Sequence, residues 1–226
     1  MEPTGCTTLK QELPRRLGCE LIELYGLTEG LITTLDPEDF SRKLDSVGRP
    51  LPGQQLKRIG EDDGDVAPGM VGEIVGLGRL TMRGYHRRPE ATRDATWTDQ
   101  QGRHWPRSGD LGRLDEAGFL YLVERKKDMI LSGGQNIYPA DLEAVLLQHS
   151  AVAEAAVIGI PSKRWGEEPL ALVVAVSAAG AASPSAEALL DRANARLGRP
   201  QRIARLRFVE SLPRNPNGKI LKQELR

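Results

Sequence analysis

Cysteine is scarce in this chain: only Cys6 and Cys19 occur among 226 residues, and they form no C-x-x-C pair. With three histidines beside them no metal-site spacing appears, so a disulfide or zinc framework is not expected. The reducing cytosol is the simplest setting, and the expected location is cytoplasmic. An excess of charge is lacking too. The 31 basic and 31 acidic residues cancel, which points to neither nucleic acid nor an acidic membrane surface. The most apolar run, Leu170 to Val176, is far too short to span a bilayer, so no transmembrane segment is expected. No charged n-region leads into an apolar h-region at the start, so no secretory signal is expected. Internal repeats are absent, and the one biased segment, Ser177 to Ala188, reads as a linker into a helix.

What is abundant is turn chemistry. Twenty-four glycines and 15 prolines punctuate the chain, and a mean hydropathy of -0.38 is ordinary for a soluble protein. The length suits one large or two small domains, each with its own core. Thr7 or Thr8 caps a short helix through Glu12, with Pro14 against its continuation. Glu20 to Tyr25 alternates as a strand and runs into Gly26-Leu27-Thr28-Glu29-Gly30, where backbone can approach a ligand closely. From Ser46 to Glu73, turns such as Pro52-Gly53 and Glu61-Asp62-Asp63-Gly64 separate short strands, including Gln55 to Ile59 and Val71 to Leu77. That spacing predicts a small antiparallel sheet or barrel. Pro89 to Thr96 reads as a short helix and Phe119 to Val123 as a strand.

Beyond Lys127 the texture changes to mixed strand and helix. Met129 to Leu131, Val152 to Ile160, Leu170 to Val176 and Arg202 to Val209 read as strands. Ala140 to His149 reads as a helix with Leu142, Val145 and Leu146 on one face. A further helix starts at Ser183 or Ser185, and a short one closes the chain. The expected fold class is α+β: a β-rich sub-domain over residues 1–126, then a small α+β domain over residues 127–226.

The stretch from Arg107 to Pro139 gathers chemistry-bearing residues: Asp110 before a turn, then Arg125, Lys126, Lys127 and Asp128, then Gly133-Gly134. Taken with Tyr25-Gly26-Leu27-Thr28-Glu29 and Pro213-Arg214-Asn215-Pro216-Asn217-Gly218-Lys219, these segments resemble, in order, the motifs of adenylate-forming enzymes. That superfamily contains acyl-CoA synthetases, peptide-synthetase adenylation domains and luciferases. The five motifs run from Tyr25 to Lys219, nearly the whole chain, and any one alone would be weak. Leu131 to Gln135 also spells the signature peptide of ABC-transporter ATPases, but no G-x-x-x-x-G-K-[ST] loop accompanies it.

The resemblance implies a carboxylate–CoA ligase working in two half-reactions. ATP and a carboxylic acid give acyl-AMP, and the thiol of coenzyme A then displaces AMP. It implies that Tyr25, Gly26 and Thr28 belong to the nucleotide site and that Glu29 holds Mg²⁺. Asp110 would bind the ribose with Arg125 beside it. A carboxylate accepting from vicinal hydroxyls, and a hard cation held by carboxylate and phosphates, are apt chemistry for these tasks. Lys219 corresponds to the adenylation lysine, a compact ammonium able to follow charge developing on the α-phosphate. Lys127 corresponds to the hinge for domain alternation, and Gly133 and Gly134 would line the pantetheine channel.

The family's Ser/Thr/Gly-rich loop for the β- and γ-phosphates, and the segments building most of the acyl pocket, do not occur in these 226 residues. The chain therefore reads as the C-terminal portion of a ligase, inactive when isolated. A catalytically incompetent fragment or binding module, and an adenylation domain serving a carrier-protein thiol, are the alternatives. The face left open by the absent region would favour self-association. Fatty, aryl and short-chain acids all stay open as substrates.

Overall fold

The computed structural model describes residues 5–176, 184–216 and 218–226. The linker expected from Ser177 falls largely outside the described residues, as does a helix start at Ser183. Backbone proximity divides the chain into two compact units, Met1–Lys126 and Lys127–Arg226. The fold is α+β, built mostly on antiparallel sheets. No helix among the described residues is long and apolar enough to cross a membrane.

In the first unit, helix α1 (Gly5–Leu17) begins ahead of Thr7 and Thr8 and includes Pro14. Both threonines are thus helical rather than caps. Pro14 is accommodated close to the helix end, where one missing N–H disturbs little of the ladder. Strands β1 (Glu23–Gly26) and β2 (Ile32–Leu35) form an antiparallel hairpin. Helix α2 (Pro37–Phe40) follows, and β3 (Arg49–Pro50) adds a third strand against β2.

The second sheet of this unit contains β4 (Gln55–Ile59) and β5 (Gly72–Leu77). After helix α3 (Pro89–Asp94) come β6 (Thr96–Thr98), β7 (His104–Leu114) and β8 (Leu120–Arg125). The long β7 is the spine. It pairs with β5 and β8, and with β6 near its start. Asp110 was expected before a turn, but it lies inside β7, opposite Arg125 on β8. Pro106, Gly109 and Gly112 disguise that strand in the sequence; irregular registers with β5 and β8 accommodate them.

Trp97 and Trp105 face one another across β6 and β7, their ring centroids 6.1 Å apart and tilted by 59°. Such a pair contributes on the order of 1 kcal/mol beyond area burial. Trp105 donates its indole N–H to Asp99 Oδ2 at 3.0 Å. Asp99 also accepts from Arg103 Nε and from the backbone N–H groups of Gln101 and Arg103.

The second unit opens with the hairpin β9 (Ile130–Ser132) and β10 (Gln135–Ile137), then helix α4 (Pro139–Leu147). Strands β11 (Val152–Ser162) and β12 (Gly166–Ala175) pair antiparallel over most of their length. Helix α5 (Ala186–Asn194) is capped by Ser185, whose hydroxyl accepts from the Ala188 N–H at 3.1 Å. Strand β13 (Arg205–Phe208) joins β12 in parallel.

Period-two alternation sorts this sheet into two cores. Ala155 and Val157 of β11 and Ala171 and Val173 of β12 join Leu142 and Leu146 of α4 and Leu189 of α5. Their neighbours Ala156, Ile158, Leu170 and Leu172 turn to the other face, where Leu212, Ile220 and Leu225 cover them. The segment carrying Lys219 is therefore flanked by residues anchored on the sheet.

Candidate functional site

Three residues predicted for nucleotide binding converge in the first unit. The Tyr25 hydroxyl donates to Asp110 Oδ2 at 2.7 Å, and Arg125 Nε lies 2.9 Å from Asp110 Oδ1. Asp110 is nearly buried, and its backbone N–H is received by the Ser108 hydroxyl at 3.0 Å. A carboxylate offers about four lone-pair directions. Two are engaged here, so acceptor capacity remains for vicinal hydroxyls. Burial, reinforced by the bond to Asp110, pushes the Tyr25 phenol well above its usual range. It therefore stays a neutral donor at physiological pH.

Gly26 pairs with Ile32 at the mouth of the β1–β2 hairpin, where a Cβ would meet the Leu31 carbonyl oxygen at 2.8 Å. Its smallness serves the hairpin itself. Beyond it the turn presents Thr28 and Glu29. The Thr28 hydroxyl donates to Glu29 Oε2 at 3.0 Å, and the Tyr85 hydroxyl donates to Glu29 Oε1 at 2.6 Å. The bond from Tyr85 holds the Glu29 carboxyl below its ordinary range, outweighing partial desolvation, with the Thr28 bond assisting. Glu29 is thus kept ionised. The turn is fixed by Met82, whose N–H donates to the Glu29 carbonyl at 2.9 Å, and by Gln54, which bridges the Gly30 carbonyl and the Ile32 N–H. Gly30 has φ 102°, and a Cβ there would fall 2.0 Å from the Leu80 carbonyl oxygen.

No group of three or more His, Cys, Asp or Glu side chains able to hold a metal occurs among the described residues. A single ionised carboxylate beside hydroxyls still fits Mg²⁺, which keeps several waters and takes the rest of its shell from phosphates. Tyr85 was not among the predicted residues. Only its place 56 positions beyond Glu29 in a turn-rich segment marks it, and no local pattern gives that pairing.

The end of the first unit is clamped. Glu73, buried on β5, accepts from Arg107 Nη1 at 2.7 Å and from Lys126 Nζ at 2.8 Å through one oxygen. Arg125 and Lys126 are thus tied to Asp110 and Glu73, respectively.

Lys127, Gly133, Gly134 and Lys219 belong to the second unit. Lys127 is exposed, and its carbonyl accepts from Arg226 Nη2 at 3.1 Å. Gly133 and Gly134 form the two-residue turn between β9 and β10, with φ of 58° and 78°. Paired left-handed residues of this kind match the twist of a tight hairpin and favour glycine. Gly133 also donates its N–H to the Trp165 carbonyl at 2.8 Å. A Cβ at Gly133 would meet the Trp165 ring at 2.9 Å. Lys219 is exposed, its N–H received by Asn215 Oδ1 at 2.9 Å.

Residues 5–86 match the family described as AMP-binding enzyme, and residues 141–219 match the AMP-binding enzyme C-terminal domain. The 2-succinylbenzoate–CoA ligase of Bacillus cereus is 44% identical over 212 residues, covering 92% of this chain and 42% of that protein. The long-chain-fatty-acid–CoA ligase FadD13 of Mycobacterium tuberculosis is 41% identical over 209 residues, covering 92% of this chain and 40% of its own. Among solved structures, o-succinylbenzoate CoA synthetase from Bacillus subtilis, in complex with the acyl-adenylate intermediate OSB-AMP, superposes with a TM-score of 0.81 at 38% identity. That match covers 99% of this chain and 44% of the other. The chain thus spans less than half the length of these relatives.

Proposed function

The chain belongs to the AMP-binding, adenylate-forming enzyme family, and on that premise we propose that its residues serve an ATP-dependent carboxylate–CoA ligase. The observation that carries this reading is the convergence of Tyr25 and Arg125 on the two oxygens of Asp110. Residues from three of the family's motifs meet at one buried carboxylate that retains acceptor capacity.

In the first half-reaction a carboxylate oxygen attacks the α-phosphorus of ATP. The bond to the bridging oxygen breaks, and pyrophosphate leaves with the electron pair. Asp110 accepts from the ribose hydroxyls, with Arg125 holding its second oxygen and Tyr25 keeping it oriented. The Thr28 hydroxyl turns from Glu29 to donate to the α-phosphate. Glu29 would hold Mg²⁺, which when bound supplies neutralisation of phosphate charge. Lys219 donates to the oxygens on which charge develops.

In the second half-reaction the CoA sulfur attacks the acyl carbon and the thiol proton passes to solvent, while the bond from the acyl carbon to the phosphate oxygen breaks and AMP leaves with the electron pair. Rotation about Lys127 brings the second unit's Gly133–Gly134 hairpin to the thiol's path in place of Lys219. The two glycines leave no side chain to obstruct pantetheine.

ATP–pyrophosphate exchange across a panel of aryl, fatty and short-chain acids tests the proposal in a full-length ligase carrying these residues. Exchange with at least one acid is expected, and Asp110→Ala should raise the KM for ATP by roughly tenfold or more. The 226 residues alone are expected to give no exchange, since the loop for the β- and γ-phosphates is not among them. An Asp110→Ala enzyme with an unaltered ATP KM would remove the ribose role.

A further inference from the structure

The loop that carries Lys219 is tied at its base and along one side. Arg214 and Ile220 form an isolated antiparallel bridge, and Ile220 packs on the sheet face covered by Leu212. Within the loop, the Asn215 N–H donates to the Lys219 carbonyl at 2.9 Å, while Asn215 Oδ1 receives the Lys219 N–H at the same distance. The outer tether is Arg214. Its Nη1 donates to the Gly218 carbonyl, and its Nη2 donates to Glu154 Oε2 at 2.7 Å. Glu154 belongs to β11, at the register irregularity next to Val152. The Lys219 side chain is exposed and makes no ion pair among the described residues.

We propose that Glu154 is a positioning residue for Lys219: by orienting Arg214 it fixes the Gly218 carbonyl, and with it the backbone from which the lysine extends. The inference rests on the adenylation reading of Lys219. Gly218 has φ 81°, so the chain reverses immediately before the lysine, at a residue with wide backbone freedom. One planar guanidinium serves both acceptors, Glu154 and the Gly218 carbonyl. An ammonium at that position could not present the same rigid fork. The division of labour is a backbone held in place and an ammonium left free to reach substrate.

Magnitudes separate this role from ordinary stabilisation. The side chains of Glu154 and Arg214 are 37% and 41% exposed, and an ion pair so open to water contributes little to folding. Misplacing a reacting group by about 1 Å can cost as much as ~100-fold in rate. Loss of Glu154 should therefore be felt in the adenylation step before it is felt in the stability of the fold.

The test compares Glu154→Gln, Glu154→Asp and Arg214→Gln with Lys219→Ala in a full-length ligase carrying these residues. Acyl-AMP formation is timed separately from thioester formation starting with supplied acyl-AMP. Glu154→Gln and Arg214→Gln should each slow acyl-AMP formation roughly tenfold and leave the thioester step within about twofold. Glu154→Asp should recover part of the loss. In the 226-residue chain, the Lys219 amide should exchange faster in Glu154→Gln while the melting temperature holds. If Lys219→Ala abolishes acyl-AMP formation and Glu154→Gln leaves it untouched, the positioning role is wrong and the ligase reading stands. If Lys219→Ala is also without effect, both fall. Equal slowing of the two steps by Glu154→Gln would signal general damage and also overturn the proposal.

Discussion

The phenol of Tyr25 and the carboxylate of Asp110, 85 positions apart in the chain, share a hydrogen bond of 2.7 Å. The bond joins the end of β1 to the middle of β7 and leaves Asp110 Oδ2 partly satisfied before any ligand arrives. Tyr25→Phe keeps the ring and removes the donor. Losing a hydrogen bond to a charged acceptor costs about 1.5–3 kcal/mol. The expected outcome in a full-length ligase is an ATP KM raised by roughly tenfold, with a smaller change in kcat. Initial rates against ATP concentration decide it; a change confined to kcat would assign the tyrosine elsewhere.

Arg125 and Lys126 are each held by a carboxylate, whereas Lys127 is exposed and contributes no ion pair among the described residues. The proposed hinge, Lys127, directly follows these two clamped residues and is itself tied through its carbonyl to Arg226 within the second unit. Lys127→Pro locks φ there and restricts Lys126 as well. Acyl-AMP formation should remain within about threefold, while thioester formation falls by roughly tenfold or more. Overall turnover equal to that of the parent enzyme would rule out a hinge at this residue.

The β9–β10 turn gives a stability prediction that needs no substrate. Gly133→Ala places a Cβ at φ 58°, directed at the Trp165 ring. Left-handed backbone costs a non-glycine residue about 1–2 kcal/mol, and the indole must also shift. Gly133→Asn should be destabilised less by the backbone, because its short polar side chain tolerates this conformation. Urea unfolding of the 226-residue chain measures both, and an alanine variant as stable as the parent would contradict the turn.

Asp99 sets an acid limit. Burial alone would raise its pKa, but bonds from the backbone and side chain of Arg103, from Trp105 and from Gln101 hold it well below the usual carboxylate range. A carboxylate depressed on folding contributes stability that is complete above its unfolded pKa of about 3.9. That contribution is lost as pH falls through the folded value. The chain should therefore lose stability to urea below about pH 4, and Asp99→Asn should flatten that acid slope while lowering stability at pH 7. An identical acid slope in the variant would show that other carboxylates govern it.

The sequence made some elements legible and hid others for physical reasons. Gln55–Ile59 and the buried face of α4 are visible because turns bracket the first and helical spacing marks the second. Strand β7 is hidden because Pro106, Ser108, Gly109 and Asp110 carry turn chemistry, and only its partners on β5, β6 and β8 make it a strand. Strand β10 is three residues long and has no periodicity to read. Tyr25, Thr28, Glu29, Asp110 and Arg125 of the first unit, and Lys219 of the second, stand in motifs. Tyr85 and Glu154 do not, since their relevance arises from pairings across 56 and 60 positions.

The three tryptophans fall unevenly in this arrangement. Trp97 and Trp105 lie buried together in the first unit, and Trp165 stands 47% exposed beside the glycine hairpin of the second. Indoles shielded from water emit at shorter wavelength than those exposed to it, so the two units carry different optical labels. Emission from the buried pair reports on the first unit's core, while quenching by a small solute selects Trp165 and with it the β9–β10 turn. The chain is its own two-colour probe, readable without a dye or an added residue.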